Sequence, residues 1–193
     1  MNLLYPKFPV GRLPAMARIA FLGAIIAGGY GALHDQISYA ISPEYFTRLK
    51  FRQFDYADFG WRPRIFASEV GFLGSWWVGL FAGWFLARAG LAELSAPARR
   101  SCTLESFAIL LAVTAVAGIG GAVLGLAVTQ SGDLGAWDHW RRSLELEDLR
   151  AFVIVAYLHA AGYLGALTGL VLAIAWVRRS LARSRRGDAE RGR

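Results

Sequence analysis

The segment FAILLAVTAVAGIGGAVLGLAVT, Phe107 to Thr129, runs for 23 residues without an ionisable side chain. About 20 apolar residues, rising about 1.5 Å each, cross the roughly 30 Å hydrocarbon core of a bilayer. This stretch alone predicts a transmembrane helix. Two further segments have the same character: IFASEVGFLGSWWVGLFAGWFLA, Ile65 to Ala87, carries only Glu69, and AFVIVAYLHAAGYLGALTGLVLAIAWV, Ala151 to Val177, is interrupted only by His159. Near the N-terminus the uncharged core, Ile19 to Leu33, is slightly short. A full crossing there takes in Arg18 at one edge or His34 and Asp35 at the other.

A cleaved signal peptide is the alternative for that first segment, because basic residues precede its apolar core. No A-x-A cleavage site follows it, Ser38-Tyr39-Ala40 only approximates one, and the chain continues into HDQISYAIS without a turn signal. A retained helix is therefore expected. The composition agrees with a membrane protein: 55% hydrophobic, 18% charged and 22 glycines in 193 residues. The predicted fold is an all-α integral membrane protein with a membrane domain over 19–177. Its four transmembrane helices, about 19–41, 65–87, 107–129 and 151–177, form a tight small-residue bundle. A basic arm, 1–18, precedes it and a basic tail, 178–193, expected to be disordered, follows it.

Thirteen of the 21 Lys and Arg fall on the side of the termini and eight in the two opposite loops. The positive-inside rule then predicts a multi-pass protein of the cell inner membrane with both termini cytoplasmic. The net charge of +7 does not point to nucleic acid, because seven basic residues sit in the last sixteen positions with nothing resembling a folded binding module. The expected partners are the lipid bilayer, anionic lipid at the basic tail, and a second copy or a membrane-complex subunit, with no nucleic acid. A single cysteine, Cys102, excludes an intramolecular disulfide and a cysteine metal cluster.

Small residues recur at helical spacing in every span: Ala20, Ala24, Gly28 and Gly31; Gly71, Ser75, Gly79 and Gly83; Thr114, Gly118, Gly121 and Gly125; Gly162, Gly165 and Gly169. Such stripes let backbones approach closely in lipid, where no hydrophobic drive joins helices. Asp35 continues the first stripe and His159 the last, so both are expected to point inward. Glu69 sits roughly 100° off the second stripe. A charge near the bilayer centre costs upwards of roughly 3 kcal/mol, less near the edge, so membrane ionisable groups find partners or line wet cavities. The expectation is an outward-facing polar pocket of Asp35, Glu69 and His159, with His34 and Tyr39 at its mouth and Tyr163 one turn deeper. The alternative is a structural role, in which Glu69 pairs with Arg62 or Arg64 and His159 bonds a neighbouring hydroxyl.

In SPEYFTRLKFRQF, Ser42 suits an N-cap, Pro43 the first helical position and Glu44 a helix N-terminus. A short interfacial helix carrying Tyr45, Phe46 and Leu49 is expected there. Asp55, Asp58 and Trp61 then belong to an irregular aromatic cover, read either as a lid or as an interface belt. GAWDHWRRS, with Trp137, His139 and Trp140, has the same belt character.

The sequence contains no G-x-S-x-G, H-E-x-x-H or Walker loop, so the expectation leans away from an enzyme. The default is no cofactor. Two chemistries stay open: a metal site of His34, Asp35, Glu69 and His159, whose ligand types suit zinc, iron or manganese, and haem held between His34 and His159. The leading expectation is a non-enzymatic accessory, assembly or small transport-type protein. A membrane metal or haem redox protein and a purely structural subunit are the alternatives.

Overall fold

The computed structural model describes residues 10–191, so the first half of the basic arm and the last two residues of the tail lie outside the described residues. Four helices are long and apolar enough to cross a membrane. They are α1 (Leu13–Ile41), α2 (Pro63–Ala89), α3 (Ala96–Gln130) and α4 (Leu149–Arg191), and no strand occurs among the described residues. Proline in the first turn opens α1, α2 and α3, where its missing N–H costs nothing. Gly90 ends α2 at φ 143°, a conformation that a side chain would strain. The sequence reading ends the last span at Val177. The helix instead continues to Arg191, because RRSLARSRR consists largely of good helix formers, with no glycine or proline before Gly187.

α1 packs along α2 and α3 along α4, whereas the two pairs touch each other sparingly. The glycines explain the pairing. A Cβ on Gly31 would collide with the carbonyl of Gly71, one on Gly71 with the carbonyl of Gly31, and one on Gly79 with the carbonyl of Gly23. Across the second pair Gly121 lies on Tyr157, Gly125 on Ile154, Gly165 on Val113 and Ala117, and Gly169 on Leu110. All three G-x-x-x-G pairs, beginning at Gly79, Gly121 and Gly165, thus sit in backbone-close contacts. Two positions depart from the expected stripes. Gly23 is a contact glycine, and Gly162 has nothing within 4 Å where its Cβ would stand. Helical spacing fixes a face, but close approach occurs only where the crossing helices touch.

The outer faces carry Phe21, Leu33, Val116, Ile119, Val123, Leu164 and Val171, all exposed. In a bilayer those side chains meet acyl chains. Inside, two apolar clusters close the ends of the bundle. One, near the start of α1 and the α2–α3 turn, gathers Met16, Leu86, Leu91, Cys102, Phe107 and Val177. Arg12 pairs with Glu93 at 3.1 Å there, and Leu181 of α4 packs over Gly90, so the start of α1 and the far part of α4 share this end. The other cluster holds Tyr45, Phe46, Leu146, Phe152, Val153 and Val155.

The loop after α1 folds onto that second end. The Ser42 hydroxyl accepts the N–H of Tyr45 at 3.3 Å, and the chain then winds as a π-helical turn, Tyr45–Lys50. Such turns are rare and frequently occur at functional sites. The expected interfacial helix therefore exists in an altered form, with Tyr45 and Phe46 buried in the bundle. Asp55 opens a 3-10 turn, Asp58 accepts the Gly60 N–H at 2.8 Å, and Trp61 stays 53% exposed beside Tyr56 and Phe59. All three of these aromatics are exposed.

Glu44 ties the loop to α4. Its Oε1 accepts the N–H of Glu147 at 3.0 Å and its Oε2 that of Asp148 at 2.8 Å, the two backbone amides just before the last helix. Glu44→Ala is expected to destabilise the detergent-solubilised protein by about 1–2 kcal/mol in SDS or urea unfolding, with Glu44→Gln between it and the parent. Equal stability of all three would show that the cap is dispensable.

Candidate functional site

Between the two helix pairs lies a cavity of about 100 Å³, lined from all four long helices and from Lys50 of the π-helical turn. Its lower wall is apolar and small, with Ala27, Gly31, Gly71, Gly74 and Leu110. The polar groups collect toward the loop end. Asp35 stands six residues before the end of α1, about 9 Å along the helix, and His159 ten residues into α4, about 15 Å.

The local sequence places these groups by simple rules. Asp35 is one turn beyond Gly31, whose contact with Gly71 sets the rotation of α1, so the carboxylate follows that contact inward. His34 is one turn beyond Tyr30, and the two rings stack with centroids 5.6 Å apart. On α4, His159 stacks on Tyr45 at 5.0 Å and meets the His34 ring edge-on at 5.0 Å. Asp35 and His159 are 5% and 7% exposed.

The His159 Nε2 lies 3.8 Å from Asp35 Oδ1, too long for a hydrogen bond, and it has no hydrogen-bond partner although fully buried. One ligand atom from each of His34, Asp35 and His159 falls within 4.8 Å of the others. Three atoms so spaced share a point at most about 2.8 Å from each, and zinc bonds to nitrogen or carboxylate oxygen are about 2.0–2.2 Å. A shift of about 0.6–0.8 Å per donor would close that difference. Two imidazoles and one carboxylate are borderline-to-hard donors of the kind that suits zinc, iron or manganese.

Lys50 supplies the nearby positive charge. Burial lowers the pKa of its ammonium, and the Asp35 carboxylate opposes that effect. Burial also raises the pKa of the Tyr45 phenol, which stays neutral above His159.

Of the expected pocket, Asp35, His159, His34 and Tyr163 come together. Glu69 and Tyr39 are not in the lining. Glu69 lies on the flank of α2, its Oε2 buried without a hydrogen-bond partner, as its offset from the glycine stripe implies. Arg64 does not pair with it, since Nη1 donates to Gln36 Oε1 at 3.4 Å and the guanidinium covers the Tyr39 ring. Tyr39 is held by Phe46 and Phe51. Lys50, Tyr30 and the stacking role of Tyr45 escape the sequence reading. Tyr30 had a signal, its position one turn before His34, whereas Lys50 depends on the fold-back of the loop.

The haem expectation meets a size limit. Pockets for drug-sized ligands measure about 300–1,000 Å³, well above this cavity, and the His34 and His159 rings are already in edge contact. A single ion fits the donor set better than a macrocycle. Comparison with protein families, curated proteins and solved structures finds no match to this chain.

Proposed function

We propose that this protein binds one divalent transition-metal cation within its membrane domain through His34, Asp35 and His159. It acts as a non-enzymatic accessory, assembly or small transport-type protein. The observation that carries the reading is the convergence of these three donors, with a fully buried His159 Nε2 that has no hydrogen-bond partner. A buried nitrogen lone pair or N–H without a partner costs about 1–3 kcal/mol, a cost that a bound cation removes. The four helices support a multi-pass membrane protein. We take the membrane to be the cell inner membrane, with the termini cytoplasmic, from the excess of Lys and Arg at their end.

The test is metal analysis of the detergent-purified full chain after loading with zinc, iron(II) or manganese and removal of excess ion. Close to one equivalent per chain is expected for one of the three metals, falling to background in a variant with His34, Asp35 and His159 all replaced by alanine. Equal retention by parent and variant would overturn the reading and favour a purely structural subunit. An optical or EPR signal from bound iron that changes reversibly with reductant would move the assignment to the redox alternative.

A further inference from the structure

A second site lies at the opposite end of the molecule. Where the first turns of α1 and α3 diverge, they leave a cleft of about 750 Å³, far from the histidines. Arg18 from α1 and Arg99 and Arg100 from α3 line it, and no acidic side chain does. Among the described residues none of these three arginines takes part in an ion pair. The two nearest acids in sequence have other partners: Glu93 pairs with Arg12 at 3.1 Å, and Glu105 accepts the Ser101 hydroxyl at 2.8 Å and the Trp176 indole N–H at 3.1 Å.

Backbone chemistry has the same sign. α3 begins at Ala96, on the cleft wall, and its N-cap residue Ser95 makes no side-chain cap hydrogen bond. The positive end of the α3 dipole, beside Ala96 on the cleft wall, thus has the same sign as the three guanidinium groups. The rest of the wall is mostly apolar, with Ile19, Leu22 and Leu104 beside Thr103, whose hydroxyl donates to the Arg99 carbonyl at 2.7 Å, and Leu22 and Leu104 are exposed along the lipid-facing surface. A cationic head of a groove that continues down an apolar helix face matches an amphiphile with an anionic phosphate head and acyl chains, and matches a free phosphate less well.

We infer that the cleft between the N-terminal turns of α1 and α3 is a binding site for one anionic phospholipid. The phosphodiester is held by Arg18, Arg99 and Arg100, and an acyl chain lies over Leu22 and Leu104. Arginine suits this role because its planar fork gives paired hydrogen bonds to phosphate oxygens. This site is separate from the basic tail, whose attraction to anionic lipid is diffuse.

Native mass spectrometry of the full chain in detergent, titrated with phosphatidylglycerol or with phosphatidylcholine of the same acyl chains, reads the site. The parent is expected to hold one phosphatidylglycerol at least tenfold more tightly than phosphatidylcholine. A variant with Arg18, Arg99 and Arg100 all changed to glutamine is expected to lose roughly 100-fold, at about fivefold per removed charge, while keeping its helical circular dichroism. The triple lysine variant should stay within about tenfold of the parent, separating charge from fold. A third variant changes Arg178, Arg179, Arg183 and Arg186 to glutamine and should keep the tight lipid. Loss of that lipid in the tail variant, equal binding of the two lipids, or displacement by millimolar inorganic phosphate would each overturn the assignment.

Discussion

Gly71→Leu separates α1 from α2 and costs the bundle upwards of about 3 kcal/mol, the largest stability effect expected in this chain. At Gly71 a Cβ meets the carbonyl of Gly31 and the amide of Ala32, and at Gly31 it meets the carbonyl of Gly71 as well as the Ser75 side chain. Around Gly71 every near neighbour is backbone, so no side chain can swing away. Overpacking a core that can partly adjust costs typically about 1–3 kcal/mol, and this contact adjusts only by moving a whole helix. Gly29→Leu is the matched control, because nothing lies within 4 Å of its missing Cβ and the position faces outward. It should leave stability unchanged or raise it by about 0.5–1 kcal/mol through helix propensity. Both variants are compared by SDS or urea unfolding in one detergent. Equal stability of the two would mean that the helices do not pack through Gly31 and Gly71.

The same substitution reaches the site. Gly31 and Gly71 line the cavity and Asp35 is one turn from Gly31, so a shift of α1 carries His34 and Asp35 away from His159. Gly71→Leu should weaken metal binding even in conditions where the protein remains helical. Packing and chemistry share one contact here.

That contact also marks how far the sequence alone could reach. Four apolar runs and their glycine stripes give the helices and their tight pairing, because span length and small-residue spacing are local properties of the chain. His34, Asp35 and His159 were legible for a related reason: ionisable groups in an apolar run are costly, and Asp35 and His159 continue stripes of small residues. Glu69 carries the same cost but lies off its stripe, and only the rotation of α2 decides that it misses the cavity. Lys50 and Tyr45 depend on a loop that winds as a π-helical turn and on the Glu44 cap that fastens it to α4, a pairing across about a hundred residues. No periodicity announces such a contact. The lipid cleft was hidden similarly, since Arg18 and Arg99 look like separate topology signals until α1 and α3 are placed side by side.

His159→Leu should abolish tight metal binding and yet leave the metal-free protein no less stable, a combination that separates a ligand from a structural residue. The imidazole is buried with Nε2 unpartnered, 3.8 Å from Asp35. Replacing it by an apolar side chain of similar size removes that penalty of about 1–3 kcal/mol and offsets the lost stacking on Tyr45. Metal affinity, in contrast, should fall by more than about 100-fold, because loss of even an outer-shell partner commonly costs 10–100-fold. Asp35→Asn should lose as much, since the amide keeps an oxygen but not the charge that neutralises the cation. Glu69→Gln should bind like the parent. The parent gains stability from metal, about 4 kcal/mol at a free concentration one thousand times its Kd, and the His159 and Asp35 variants, weakened more than about 100-fold, gain less than about 1.4 kcal/mol at that same concentration. Protons compete with metal for imidazole nitrogen and carboxylate oxygen, so this gain is present at neutral pH and lost as pH falls, while the variants lack that pH dependence. Thermal or denaturant unfolding with and without the loading metal, repeated across pH, reads each of these outcomes. If His159→Leu instead destabilises the metal-free protein as much as it weakens binding, His159 is a packing residue and the metal assignment fails.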